Sequence, residues 1–188
     1  MSRLKPVDPA TATGDAKNLL DAVKQKMGRV PNITRLMANS PAALEGYLNF
    51  SRALAAGRLG PQLRERIAIA VATTNGCNYC LSAHTAIGQM MGLSSEDLNA
   101  AQLSQASDEK AAVALRFATK LVRDRGWVSD DNVAELRSAG FDDGDIVEIV
   151  AVVSLNIFTN YFNHVAETEI DFPLVESATV DAGCGRRS

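Results

Sequence analysis

The chain has 188 residues, 46% of them hydrophobic and 22% charged. That is enough to bury one sizeable core, and it predicts a single domain. A net charge of -3 gives no electrostatic reason to expect nucleic acid or an anionic membrane surface as partner. The first residues, Met1-Ser2-Arg3-Leu4-Lys5-Pro6, lack the apolar stretch of a secretory signal. The longest apolar run, residues 146–158, is broken by Glu148 and Asn156 and reads as too short to cross a bilayer. A cytoplasmic protein without membrane contact is expected.

Residues 1–13 read as a Pro/Thr/Ala-rich lead-in and residues 14–173 as one helical domain. Residues 174–188 read as a flexible tail that carries Cys184. Leu19, Leu20, Val23 and Met27 recur at helical spacing between Gly14 and Gly28 and predict a first helix. A short second helix is expected from Arg29 to Met37, and a third from Pro41, with Leu44, Tyr47, Leu48, Phe50 and Leu54 inward. From Pro61 to Thr74 the apolar residues surround the helix, which predicts burial on most sides. Glu65 is placed in its first turn, on the stripe of Ile69 and Ala72, as a partly buried functional carboxylate rather than an acid that only complements the helix dipole.

The next helix is expected from Cys77 to Met91, followed by a short one from Ser94 to Leu103. Further helices begin near Ser107, Ser129 and Asp142, the last being long and apolar. No alternating strand pattern occurs, so the fold class is all-α, with eight or nine helices around one core. There is no solenoid repeat, glycine-rich phosphate loop or dinucleotide fingerprint, so no cofactor is expected. The helices at 61–75 and 145–165 are greasier than one small domain needs, which predicts self-association.

Two of the three cysteines and one of the two histidines fall in Cys77-Asn78-Tyr79-Cys80-Leu81-Ser82-Ala83-His84. On a helix these three side chains share a face. Asn75-Gly76 reads as a break, which would put Cys77 in the first turn of a new helix. There the positive end of the dipole lowers a thiol's pKa, so position alone favours Cys77 as the more acidic thiol. His84 can exchange a proton with Cys80, one turn away. A dithiol that cycles between reduced and bridged forms fits this spacing. A zinc site made of Cys77, Cys80, His84 and His164 is chemically possible but has no second Cys pair to support it. His164, on the apolar last helix, reads as a hydrogen-bonded core or rim residue, and Tyr79 as packing on the opposite face.

The pattern Glu65-x11-Cys77-x-Tyr79-Cys80-x3-His84 resembles the signature of the AhpD-like alkylhydroperoxidases of the carboxymuconolactone decarboxylase superfamily. Val30-Pro31-Asn32, the corner Arg58-Leu59-Gly60 and the run Asn156-x3-Asn160-Tyr161-x-Asn163-His164 resemble its uncharacterised peroxidase-related branch. The resemblance implies an AhpD-like multi-helix domain with Cys-x-x-Cys at the start of a central helix, assembled as a trimer, hexamer or dimer. It implies a thiol-dependent, antioxidant peroxidase acting on an organic hydroperoxide or hydrogen peroxide and recharged by a lipoyl-type or thioredoxin-like dithiol. By the same resemblance Cys80 attacks, Cys77 closes the redox-active disulfide, and Glu65 and His84 relay protons. Characterised members often carry a His where this chain has Tyr79. Alternatives are a redox sensor or disulfide-exchange protein without efficient turnover, a decarboxylase-like lyase, and the zinc protein. The paired cysteines, which the decarboxylase branch lacks, argue against the lyase.

Overall fold

Helix caps set the architecture in the computed structural model, which describes residues 1–177. Cys184 and most of the segment read as a tail lie outside the described residues. Nine helices occur among the described residues, and no strand: α1 Gly14–Met27, α2 Asn32–Met37, α3 Pro41–Ala55, α4 Pro61–Asn75, α5 Asn78–Met90, α6 Ser95–Gln102, α7 Glu109–Arg123, α8 Asp130–Ser138 and α9 Asp143–Ala166. Gly28 and Gly76 close α1 and α4 in the left-handed region that glycine enters without strain. Ser94 and Asp142 open α6 and α9 with reciprocal capping boxes.

Two helix starts and one placement differ from the sequence reading. Pro31 takes the N-cap position of α2, so that helix starts at Asn32 rather than Arg29. Helix α4 opens at Pro61 as expected, which makes Glu65 its fifth residue, just past the first turn. Cys77 is the N-cap of α5 rather than a member of its first turn, and its Sγ accepts from the backbone N–H of Cys80 at 3.4 Å.

Helix α4 is the axis of the molecule. Every residue from Ile67 to Thr73 is buried, and the helix packs against α5, α6, α7 and α9. The corner Arg58-Leu59-Gly60 fixes where α4 begins. The Glu148 carboxylate accepts from the Arg58 and Leu59 backbone N–H groups, while the Arg58 guanidinium pairs with Asp142 and Asp145. This ties the start of α4 to the start of α9. On the far side of α5, Gly88 lets α6 approach closely; an added Cβ would lie 2.8 Å from Leu98 Cδ2.

The run in α9 that reads as too short for a bilayer is part of a 24-residue helix that is long and apolar enough by length and composition. Its inward side carries Asn156, Thr159, Asn160 and Asn163, all buried, and the helix packs on α3, α4, α5 and α7. It is a core helix. Both ends of the described chain are stitched to this body: Arg3 N–H donates to the Ala166 carbonyl, Val7 N–H to that of Arg35, and Val175 N–H to Ser82 Oγ.

Candidate active site

Residues from four helices converge beside the start of α5. Cys77 and Cys80 are free thiols, 2% and 3% exposed, one turn apart. His84 continues the same face, and its Nδ1 lies 2.7 Å from Glu65 Oε2 on α4. The imidazole and the carboxylate keep 23% and 14% of their side-chain surface. All four residues singled out by the motif therefore share one site, with the sulfurs more deeply buried than the Glu65–His84 pair.

Two groups that the motif did not assign complete the site. Asn163 of α9 donates from Nδ2 to Cys80 Sγ at 3.1 Å and is itself buried. Asn160, fully buried one turn earlier, accepts from Asn75 Nδ2 through Oδ1 at 2.9 Å. Its own NH2 makes no hydrogen bond of good geometry, yet it acts on the Cys80 sulfur. Tyr47 of α3 lies close enough to Cys80 and Glu65 that, after burial, their charges help push its phenol up to about 12. The signal for the amides was in the chain: asparagines at 156, 160 and 163 follow helical spacing on one face of an otherwise apolar helix. An amide in such a place has to find a partner.

The electrostatics distinguish the two sulfurs. Cys80 is the more acidic thiol, its pKa lowered to about 7, first because the Cys77 thiol donates to it. Burial opposes this, and His84, Asn163 and Asn160 reinforce it. Cys77 is pushed up, first by that same hydrogen bond and then by burial. The helix-start argument for an acidic Cys77 is thus overturned. At the N-cap the sulfur is sealed from water, and its S–H serves the neighbouring thiolate. For His84, burial disfavours the imidazolium, but the Glu65 charge, its hydrogen bond and the Cys80 sulfur together hold its pKa above the ordinary value.

Tyr79 points away from the sulfurs, as expected for packing. Its hydroxyl accepts from the Ile33 N–H at 3.2 Å and donates to Asp171 Oδ1 at 2.9 Å, and its ring meets Phe172 edge-on. Arg29 covers the other side of Phe172 and pairs with Asp171. His164 is exposed on α9 and is neither a core residue nor part of the site. Among the described residues no group of three or more His, Cys, Asp or Glu side chains could hold a metal ion, so the zinc set of Cys77, Cys80, His84 and His164 is not assembled.

Residues 41–124, which contain Glu65 and the whole Cys77 to His84 segment, match the carboxymuconolactone decarboxylase family model. The chain is similar in structure to a peroxidase-related protein from Ralstonia eutropha JMP134, described as an alkylhydroperoxidase AhpD core. That likeness has a TM-score of 0.82 and 24% identity, covering 90% of this chain and 92% of that one. The fold is AhpD-like. A peroxidase-related protein from Silicibacter sp. TM1040 is 26% identical with a TM-score of 0.74, covering 90% of this chain and 94% of that one. The debrominase Bmp8, in complex with 2,3,4-tribromopyrrole, is 19% identical with a TM-score of 0.77, covering 91% of this chain and 92% of that one. No curated protein matches the chain.

Proposed function

We propose that the protein is a thiol-dependent peroxidase that reduces a hydroperoxide at Cys80. The observation that carries this reading is the alignment of an acidified buried thiol, a second thiol one turn away, and a less deeply buried, carboxylate-held imidazole. The Cys80 thiolate attacks one oxygen of the O–O bond, which breaks as the S–O bond forms. His84, kept protonated by Glu65, gives its proton to the departing alkoxide or hydroxide. Cys77 then attacks the Cys80 sulfenic acid: the S–S bond forms, the S–O bond breaks, and the Cys77 proton leaves with the hydroxyl as water. An external dithiol, lipoyl-type or thioredoxin-like, returns both sulfurs to the reduced state by exchange.

The decisive experiment is steady-state consumption of hydrogen peroxide and an alkyl hydroperoxide with dihydrolipoamide or reduced thioredoxin, for wild type beside Cys80→Ser and Glu65→Gln. Turnover by wild type, lost in Cys80→Ser and reduced at least tenfold in Glu65→Gln, is expected. Equal rates in all three would sink the reading. Reversible closure of the disulfide without turnover would leave the redox-sensor alternative.

The likeness to Bmp8 favours a second reading, in which a carbon–bromine bond replaces the O–O bond as a two-electron acceptor for the same dithiol. Release of bromide from a brominated pyrrole, without peroxide turnover, would select it.

The expected homo-oligomer has a physical basis on α9. Val147, Val150, Phe158, Tyr161 and Val165 are exposed along a single helix face. From Ile149 to Ala166 that helix carries no acidic or lysine/arginine side chain. A second copy of the same helix is the simplest complement for such a stripe.

A further inference from the structure

The two buried amides on α9 stand outside the proton relay, yet one of them touches the reacting sulfur. Asn163 Nδ2 donates to Cys80 Sγ at 3.1 Å, and the same side chain lies within hydrogen-bonding reach of Cys77. Its other end, Oδ1, is buried without a partner. Asn160, fully buried, has its carbonyl committed to Asn75 and its NH2 left over on the Cys80 side. Burying an unsatisfied polar atom is unfavourable, and two such atoms beside one sulfur call for a ligand that arrives later.

We propose that Asn163 is a catalytic residue acting on the Cys80 sulfur in two successive states: Nδ2 holds the thiolate, and Oδ1 receives the hydroxyl of the sulfenic acid that follows. In the first state Asn163 and Asn160 provide N–H donors where a buried anion has no water to solvate it. In the second, the sulfur has lost its charge by bonding to an oxygen of the hydroperoxide, whose other oxygen has left with a proton as alcohol or water. The new S–O–H group is a hydrogen-bond donor, and the only need left in the amide is an acceptor's. Donor and acceptor faces of one amide thus match the two states in turn. The amide donors add to what already favours Cys80 over Cys77 for attack, because the Cys77 S–H is given to its neighbour and burial keeps it protonated.

This inference rests on the peroxidase reading for its second state and is independent of it for its first. The test uses full-length protein carrying Cys77→Ser and Cys184→Ser, so that Cys80 is the sole thiol. Iodoacetamide alkylation of Cys80 is followed against pH, with Asn163→Ala and the isosteric Asn163→Asp compared to Asn163. Both variants are expected to move the alkylation midpoint upward by about one unit, a tenfold loss of thiolate at fixed pH. Asn163→Ala should also shorten the life of the sulfenic acid formed with hydrogen peroxide, read by adding dimedone at successive delays, whereas Asn163→Asp, which keeps an acceptor oxygen, should preserve it. Folded variants with an unchanged midpoint would overturn the proposal. If neither variant folds, the parent protein decides: a side-chain amide resonance of an asparagine should titrate with the Cys80 midpoint in 15N spectra and stay still in Cys80→Ser. Absence of any such resonance overturns the proposal equally. A shifted midpoint in a protein that consumes no hydroperoxide would remove the peroxidase reading and leave the thiolate role standing.

Discussion

A carboxylate 2.7 Å from an imidazole ties the charge of each to the other. Because Glu65 holds the His84 pKa above its ordinary value against the pull of burial, the imidazolium is favoured as the Cys80 thiol ionises. The rising limb of activity should follow Cys80, near pH 7, and the falling limb should follow loss of the His84 proton. In Glu65→Gln burial prevails, the imidazole pKa drops, and the thiolate loses its cation. Both limbs of kcat/KM against pH should move inward, and limbs that stay put would take Glu65 out of the relay. The pair's part in stability has the matching sign: a raised histidine pKa stabilises fully below about pH 6.5 and fades as pH rises through the folded value. Urea unfolding of wild type and Glu65→Gln should therefore differ more at pH 6 than at pH 9, and an equal difference would contradict the linkage. On the back of the same helix, Tyr79→Phe removes a donor to Asp171 and strands the buried Ile33 N–H. A loss of about 1–3 kcal/mol is expected in urea melts; an unchanged midpoint would show that water replaces the hydroxyl.

At the scale of elements, the chain announced most of its helices, because proline, glycine and capping residues punctuate them. Gly28, Gly76 and Gly140 follow helix ends, and Ser94 and Asp142 precede helix starts, so these boundaries were legible. The site was legible to the extent that spacing on one helix determines a face: Cys77, Cys80 and His84 had to line up, and the stripe of Glu65 pointed it inward. What spacing could not reveal is which residue of a distant helix meets a given atom. Asn163 follows Cys80 by 83 residues, and only the crossing of α9 over α5 brings them together. The acidity of the two thiols was misjudged for the same reason, since a dipole argument sees one helix and the sulfur responds to groups on two. The close contact of α5 and α6 is testable here. Gly88→Ala drives a methyl group into Leu98 and Leu93, and should destabilise by about 1–3 kcal/mol unless the flexible Leu98 side chain swings aside.

At the scale of the whole molecule, the inside of α9 meets a sulfur, and its outside leaves an apolar stripe exposed among the described residues. Phe158→Glu together with Val165→Glu should lower the sedimentation coefficient from that of an assembly to that of one chain, while leaving the fold intact by circular dichroism. Wild type already sedimenting as a single chain would remove the self-association reading. The depth of the sulfurs has a consequence for whatever recharges the enzyme. Thiol–disulfide exchange needs the incoming sulfur, the attacked sulfur and the departing one nearly in line, and both targets here are almost fully buried. Whatever recharges the pair has to reach sulfurs that offer almost no surface, which is a demand on the reductant's shape as well as on its potential.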